Sequence, residues 1–358
     1  MADTSHGTGG LTFDPKKRSW PNEANVFIAL ILIVLIFEGL GMVFRDQSFL
    51  FDFNTARDDS VLNIARIKII ILQVSIIGII ALGATQVIVS GGIDLSAGSV
   101  VGLTAMVTMS FAQTGMVNGN PNPKSLFGPA WMDLPVLVPV FFGLLVGTCA
   151  GIINGLLIAY TRIPPFIATL GMMVAARGGA QWWSRGQPVS FPTDSFAAIG
   201  DGMAPVFWFV GLAILFHLIL KYTVYGKHTY AIGSNEDAAR MSGIKVARHK
   251  TLVYAIAGAL AGFSAIVLAS KNLTAQTGMG LMYELDAIAM AVIGGVSLSG
   301  GRGSIIGTMI GALIFGVIIS GFTFLRLDAY YQEMVKGVII VGAVVLDQWR
   351  QQRAALRG

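Results

Sequence analysis

Charge, cysteine and histidine are all scarce in this chain, and each shortage narrows what it can do. Only 12% of its 358 residues are Asp, Glu, Lys or Arg, against 54% hydrophobic residues. Water-soluble domains carry about twice that share of charge, so the balance is that of an integral membrane protein. Cys149 is the single cysteine, which excludes an internal disulfide. The four histidines, His6, His217, His228 and His249, include no H-E-x-x-H pair, and no nucleophile-elbow serine stands out. No catalytic or metal-binding residue is therefore assigned, and nothing suggests a nucleic-acid partner. A phosphate-cradling G-x-x-x-x-G-K-S/T loop is also missing: the nearest fragment, Gly226-Lys227-His228, has His where a hydroxyl must hold magnesium. Carboxylates are too sparse in the apolar runs to form a proton relay, which disfavours an ion-coupled transporter.

What is present is a series of apolar runs, each long enough to cross about 30 Å of hydrocarbon. They fall near 26–43, 67–90, 97–113, 134–160, 165–182, 204–222, 251–270, 281–298, 303–321 and 331–347. The expected fold is an all-α polytopic membrane protein of about ten transmembrane helices, with a tail at 1–25, one membrane domain at 26–347 and a basic tail at 348–358. No small-residue cleavage site follows the first run, which reads as a retained anchor. Ten spans put both ends on one side. Of 24 Lys and Arg residues, 14 fall on the side that holds the termini and 9 on the other, with Arg177 inside a span. The excess predicts cytoplasmic termini. Trp182, Trp183, Tyr222, Tyr225 and Trp349 fall at span ends, where interface anchors belong. Within spans, Glu38, Arg177 and His217 read as structural groups.

Residues 221–250 are the one long, basic, polar stretch among these runs. Ser234-Asn235-Glu236-Asp237 sets a hydroxyl three residues before a carboxylate, the capping-box spacing, and Gly243 supplies a stop. The spacing predicts a helix over about 235–242, roughly 12 Å long and too short to cross a bilayer. It should lie exposed on the cytoplasmic side between spans six and seven.

Glycine is arranged in two ways. Gly143, Gly147, Gly151 and Gly155 recur every four residues in span four, as do Gly303, Gly307 and Gly311 in span nine. Each set forms one helix face that admits a neighbouring backbone, either within the chain or from a second copy. Two further stretches resemble each other: Gly91-Gly92-Ile93-Asp94-Leu95-Ser96, and Gly294-Gly295-Val296-Ser297-Leu298-Ser299. They suggest an internal repeat with helices interrupted near a substrate path, or else two tight turns. They lie six spans apart, which implies equal orientation, whereas an inverted repeat needs an odd offset. Leu298-Ser299-Gly300-Gly301-Arg302 also mimics the signature of ATP-binding-cassette ATPases, a coincidence in a chain without a phosphate loop.

The chain resembles the permease subunits of bacterial ATP-binding-cassette importers for ribose, galactose, xylose, inositol and related solutes. Four motifs carry the likeness over about 65–347: Gly91 to Ser99, Ala231-Ile232-Gly233-Ser234-Asn235 through Ser242-Gly243-Ile244, Met282 to Ala289, and Gly294 to Gly307. The resemblance implies a cytoplasmic ABC ATPase that holds ATP and magnesium, an extracytoplasmic sugar-binding protein, a second permease copy, and the bacterial inner membrane as the location. No cofactor is expected on this chain. The short helix becomes a coupling helix, with Gly233, Ser234, Asn235, Asp237, Ala238, Ala239 and Gly243 as its residues. Asp237-Ala238-Ala239-x-x-x-Gly243 stands where the wider class often has Glu-Ala-Ala-x-x-x-Gly. Polar groups able to hydrogen-bond a neutral sugar are Gln86, Asp94, Ser96, Asn154, Asn272, Gln276, Glu284 and Asp286. The alternative is a secondary transporter or channel that works without an ATPase.

Overall fold

The computed structural model describes residues 22–51, 62–123 and 125–355. The polar tails at 1–21 and 356–358 lie outside the described residues. Among those described, the chain is almost entirely helical: α1 (Asn22–Arg45), α2 (Ile64–Val89), α3 (Ala97–Ala112), α4 (Leu137–Thr161), α5 (Pro165–Ser184), α6 (Asp194–Ala197), α7 (Ala204–Tyr222), α8 (Val224–Ser234), α9 (Glu236–Met241), α10 (Val246–Asn272), α11 (Tyr283–Ile293), α12 (Ile305–Phe324) and α13 (Ala329–Ala355). Two small antiparallel pairs decorate one end. β1 (Met116–Val117) pairs with β2 (Asn120–Pro121), and β3 (Val189–Ser190) with β4 (Thr274–Ala275).

Each of the ten apolar runs coincides with a helix, but the helices are unequal. Six are long and apolar enough to cross a bilayer: α1, α2, α4, α7, α10 and α12. The predicted spans at 97–113 and 281–298 are shorter, with 16 residues in α3 and 11 in α11. At 1.5 Å per residue, α11 reaches only about half the thickness of the hydrocarbon core. Its predicted span was read as longer because Gly294-Gly295-Val296 continues the apolar run after the helix has ended.

The centre of the bundle is α2, α3 and α10. Every residue of α3 except Leu103 is buried. Outer helices present large apolar side chains, such as Leu35 and Val43 on α1 or Phe207 and Ile214 on α7, as a lipid-facing surface requires. The glycine stripe of α4 meets α10. A Cβ on Gly151 would run into the Tyr254 carbonyl, and one on Gly155 would lie 2.6 Å from Thr251 Cα; Gly147 faces Gly258 and Gly262. The stripe of α12 goes elsewhere, with Gly307 and Gly311 packed on Gly294. The two stripes therefore do not meet each other.

Contacts fix the sense of each helix. Ser264 Oγ of α10 donates to the Ile76 carbonyl of α2 at 2.8 Å, and Gly83 lies beside Ala257, so these two long helices are antiparallel. Each is followed by a non-helical segment and a short helix: α2, 90–96, α3; then α10, 273–282, α11. The first turns of the two short helices touch, because Gly98 abuts Gly280 and Glu284. This is an inverted pair at an odd offset, five apolar runs apart. The glycine stretches that look alike in sequence are a different pair and lie at one end of the bundle, where Gly301 N–H donates to the Val89 carbonyl at 2.8 Å. At that same end Ser304 Oγ donates to Glu23 Oε1 at 2.9 Å, which places the start of α1 there. At the opposite end Glu38 accepts from the amides of Phe49 and Leu50 at 3.0 and 2.9 Å, closing the turn after α1.

Candidate functional site

The basic stretch folds into a corner made of α8 and α9. Asn235 leaves helical geometry with φ −162° and ψ 105°, and its side chain accepts from Ala238 N at 2.9 Å, so Asn235 is the N-cap. Ser234, the predicted cap, is still helical; its hydroxyl donates back to the Tyr230 carbonyl at 2.8 Å. The capping site thus shifts by one residue, and the helix runs over Glu236–Met241 in place of 235–242. Gly243, with φ +85°, stops it in a conformation that side chains with a Cβ resist. Glu236 pairs with Arg240 at 2.8 Å and with Lys250 at 2.5 Å. Burial disfavours its charge, but Lys250 and Arg240 outweigh that and hold its carboxyl below the usual range.

The seven coupling residues divide by direction. Ser234, Asn235, Asp237, Ala238 and Gly243 are exposed, and beside them Met241 is 89% exposed. Ala239 points inward, buried with Ile232 and Val246 in the small core that holds the corner. Gly233 also faces inward. A Cβ on it would run into the Val89 carbonyl and sit 2.6 Å from Gly301 N. Gly300 packs against Gly91 Cα, and Tyr230 donates its hydroxyl to the Gly303 carbonyl at 2.7 Å. The end of α2, the end of α8 and the loop after α11 therefore share one backbone junction.

Above this junction, the segment 90–96 leads into α3. Asp94 Oδ1 accepts from Ser96 N at 2.8 Å and from Ser96 Oγ at 2.6 Å, and Asn154 Nδ2 donates to Ser96 Oγ at 2.8 Å. Tyr254 donates its hydroxyl to the Ile93 carbonyl at 3.2 Å. Glu284 lies over the first turn of α3, in the space that a side chain on Gly98 would fill. Asn154 Oδ1 and Glu284 Oε2 are buried and have no hydrogen-bond partner among the described residues. The opposite segment, 273–282, is bracketed by Leu273 at φ +53° and Met282 at φ +67°, both left-handed. Arg177 pins it by donating to the carbonyls of Thr277 and Met279 at 2.6 and 2.9 Å.

Of the eight pathway candidates, the structure brings Asp94, Ser96 and Asn154 together, with Glu284 against the adjoining turn. The other four stand apart. Gln86 accepts from the Tyr225 hydroxyl at 2.8 Å and joins α2 to α8. Asp286 faces Lys336 of α13 at 3.6 Å, while Asn272 and Gln276 are exposed. Three contributors escaped the sequence reading as site residues: Arg177, Tyr230 and Tyr254. Tyr225, expected as an interface anchor, faces inward to Gln86, whereas Tyr222 is 66% exposed. Their positions inside otherwise apolar or basic segments were the available signal.

Residues 66–344 match the family described as branched-chain amino acid transport system / permease component, and the chain belongs to that family. It is 34% identical to the galactose/methyl galactoside import permease protein MglC of Escherichia coli, over 92% of this chain and 95% of that one. It is 35% identical to the E. coli ribose import permease protein RbsC, over 93% and 96% of the two chains. The RbsC protein of Bacillus subtilis is 38% identical over 90% of this chain and 91% of its own. No solved structure matches.

Proposed function

We propose that this chain is the membrane-spanning permease of an ATP-driven importer for a monosaccharide or sugar-like polyol. The near full-length likeness to ribose and galactose permeases supports the substrate class, because it covers over nine-tenths of each chain. ATP hydrolysis, with its magnesium, belongs to a partner ATPase, and an extracytoplasmic binding protein delivers the solute. Two copies of the chain form the importer in the bacterial inner membrane. The ten apolar helices cross or enter the bilayer, with α8–α9 and both termini in the cytoplasm, an orientation supported by the 14-to-9 excess of basic residues.

The observation that carries this reading is the junction at Gly233. The exposed face of α9 offers a capped, short helix to a cytoplasmic partner. Behind it, Gly233 of α8 touches the backbone at Val89 and at Gly301, so a push on α9 reaches the end of α2 and the loop after α11 directly. A ligand-driven shift needs contacts that differ between two states, and this junction is where they would differ. The unpartnered Asn154 Oδ1 and Glu284 Oε2 are acceptors suited to the hydroxyls of a passing solute; weak, multiple hydrogen bonds let it leave again.

The test is affinity purification of the tagged chain from native membranes, followed by reconstitution with the co-eluting ATPase and binding protein. Uptake of labelled ribose or galactose should require ATP and all three components. Uptake by the chain alone would establish a channel or secondary transporter instead, and ATP turnover by the chain alone would contradict the division of labour.

A further inference from the structure

Beside the coupling corner, a cavity of about 440 Å³ opens between α8 and the start of α10. Gly243 at the end of α9 lines it together with His228, Lys245, Arg248, His249 and Leu252, and no carboxylate takes part. The cations here differ from those nearby. Arg240 and Lys250 are both held by Glu236. Lys245 and Arg248 are exposed and form no ion pair among the described residues.

Their placement is also electrostatically adverse. Lys245 occupies the N-cap of the 27-residue α10, which has no side-chain cap. A helix start favours an oxygen acceptor or an anion, and two cations there oppose the positive end of the helix dipole. An anion in the cavity would relieve both defects, accepting from the leading backbone amides and from the two side chains.

The surroundings select the source of that anion. Leu252 is 48% exposed one turn further along α10, a helix long and apolar enough to cross a membrane. Tyr222 and Val224, 66% and 64% exposed, sit where α7 ends and α8 begins. Charged groups thus stand one turn from exposed apolar ones at the end of a span-length helix, a profile that suits a headgroup with its acyl chains alongside. A soluble phosphate would use the charged half alone. We propose that this groove binds the phosphate of one anionic phospholipid, anchoring the base of the coupling corner to the membrane. The proposal concerns the groove alone and stands whichever solute is transported.

Native mass spectrometry of the detergent-purified, full-length chain tests it, with phosphatidylglycerol and phosphatidylcholine as probes. Wild type should retain one phosphatidylglycerol per chain and show no comparable retention of phosphatidylcholine. The Lys245→Gln/Arg248→Gln variant, altered only at exposed positions, should bind phosphatidylglycerol about ten-fold more weakly or worse, given the surface attraction of two cations. Arg240→Gln, whose cation is already paired, should bind as wild type does. Equal retention by wild type and the double variant would overturn the site. Displacement of the lipid by millimolar inorganic phosphate would overturn the lipid source, and loss of the lipid on assembly with the ATPase would give the groove to that protein.

Discussion

Two glycine contacts in this bundle behave differently. Along the seam between α4 and α10, glycines of α4 recur every four residues and meet Gly258, Gly262 and the backbone around Tyr254. At the junction of Val89, Gly233 and Gly301, glycines of irregular spacing come from three separate segments and hold one another through backbone contacts and a 2.8 Å amide bond. The seam ties two whole helices over several turns, so it cannot shift without parting them. The junction involves a few residues at the ends of helices, where small changes in φ and ψ suffice for movement. Regular spacing marks the packing seam, and the irregularly spaced set is the one we propose to serve as a joint.

Replacements should separate the two. Gly151→Leu forces a side chain into the Tyr254 backbone, and we expect a loss of about 3 kcal/mol or more of stability. The variant should disappear from the monodisperse peak in size-exclusion chromatography. Gly233→Val also drives a side chain into backbone, at the Val89 carbonyl and Gly301 N, but these lie at helix ends that can yield, so it should leave more folded protein than Gly151→Leu, with uptake and ATPase stimulation reduced about ten-fold or more, the scale of a lost coupling energy. If Gly233→Val lost folding as completely as Gly151→Leu, the distinction between seam and joint would disappear.

Smaller effects test the lever attached to the joint. Asn235→Ala removes the cap of α9 and should cost it about 1 kcal/mol, seen as faster amide exchange over 236–241. Ser234→Ala removes only a bond back to Tyr230 and should cost a few tenths of that, as expected for back-bonding within a helix. Glu236→Gln should fall between these two, about 0.5 kcal/mol once solvent screening is counted. Because the carboxyl of Glu236 is held below its usual range, its contribution is complete above the unfolded-state pKa and fades as pH falls through the folded-state value. Thermal unfolding of wild type should show that acid loss, and the Gln variant should not.

Much of this fold was legible in the sequence because apolar length is a one-dimensional signal, and each of the ten runs became a helix. Helix ends were less legible. Ser234 and Asn235 are both good caps, and only the continuation of α8 to Ser234 decides between them. The stripe on α4 announced a close neighbour without naming it, since the partner surface on α10 is set by three-dimensional packing. The inverted pairing was hidden for a related reason: 90–96 and 273–282 hold equivalent places after two antiparallel helices without sharing a sequence, while the stretches that do share residues lie at the same end. Of the pathway candidates, Asp94, Ser96 and Asn154 converge as their polarity suggested. Gln86 and Asp286 are instead engaged by Tyr225 and Lys336, partners 139 and 50 positions away along the chain, separations that sequence spacing cannot relate.

The central claim is that motion of α9 passes through the Gly233 junction to the interrupted segments. Tyr230 of α8 donates its hydroxyl to the Gly303 carbonyl at 2.7 Å, a bond across the joint that can be removed without adding an atom. The Tyr230→Phe importer should still fold and assemble with its ATPase but lose most ATP-driven uptake. Undiminished uptake by the assembled Tyr230→Phe protein would contradict the account.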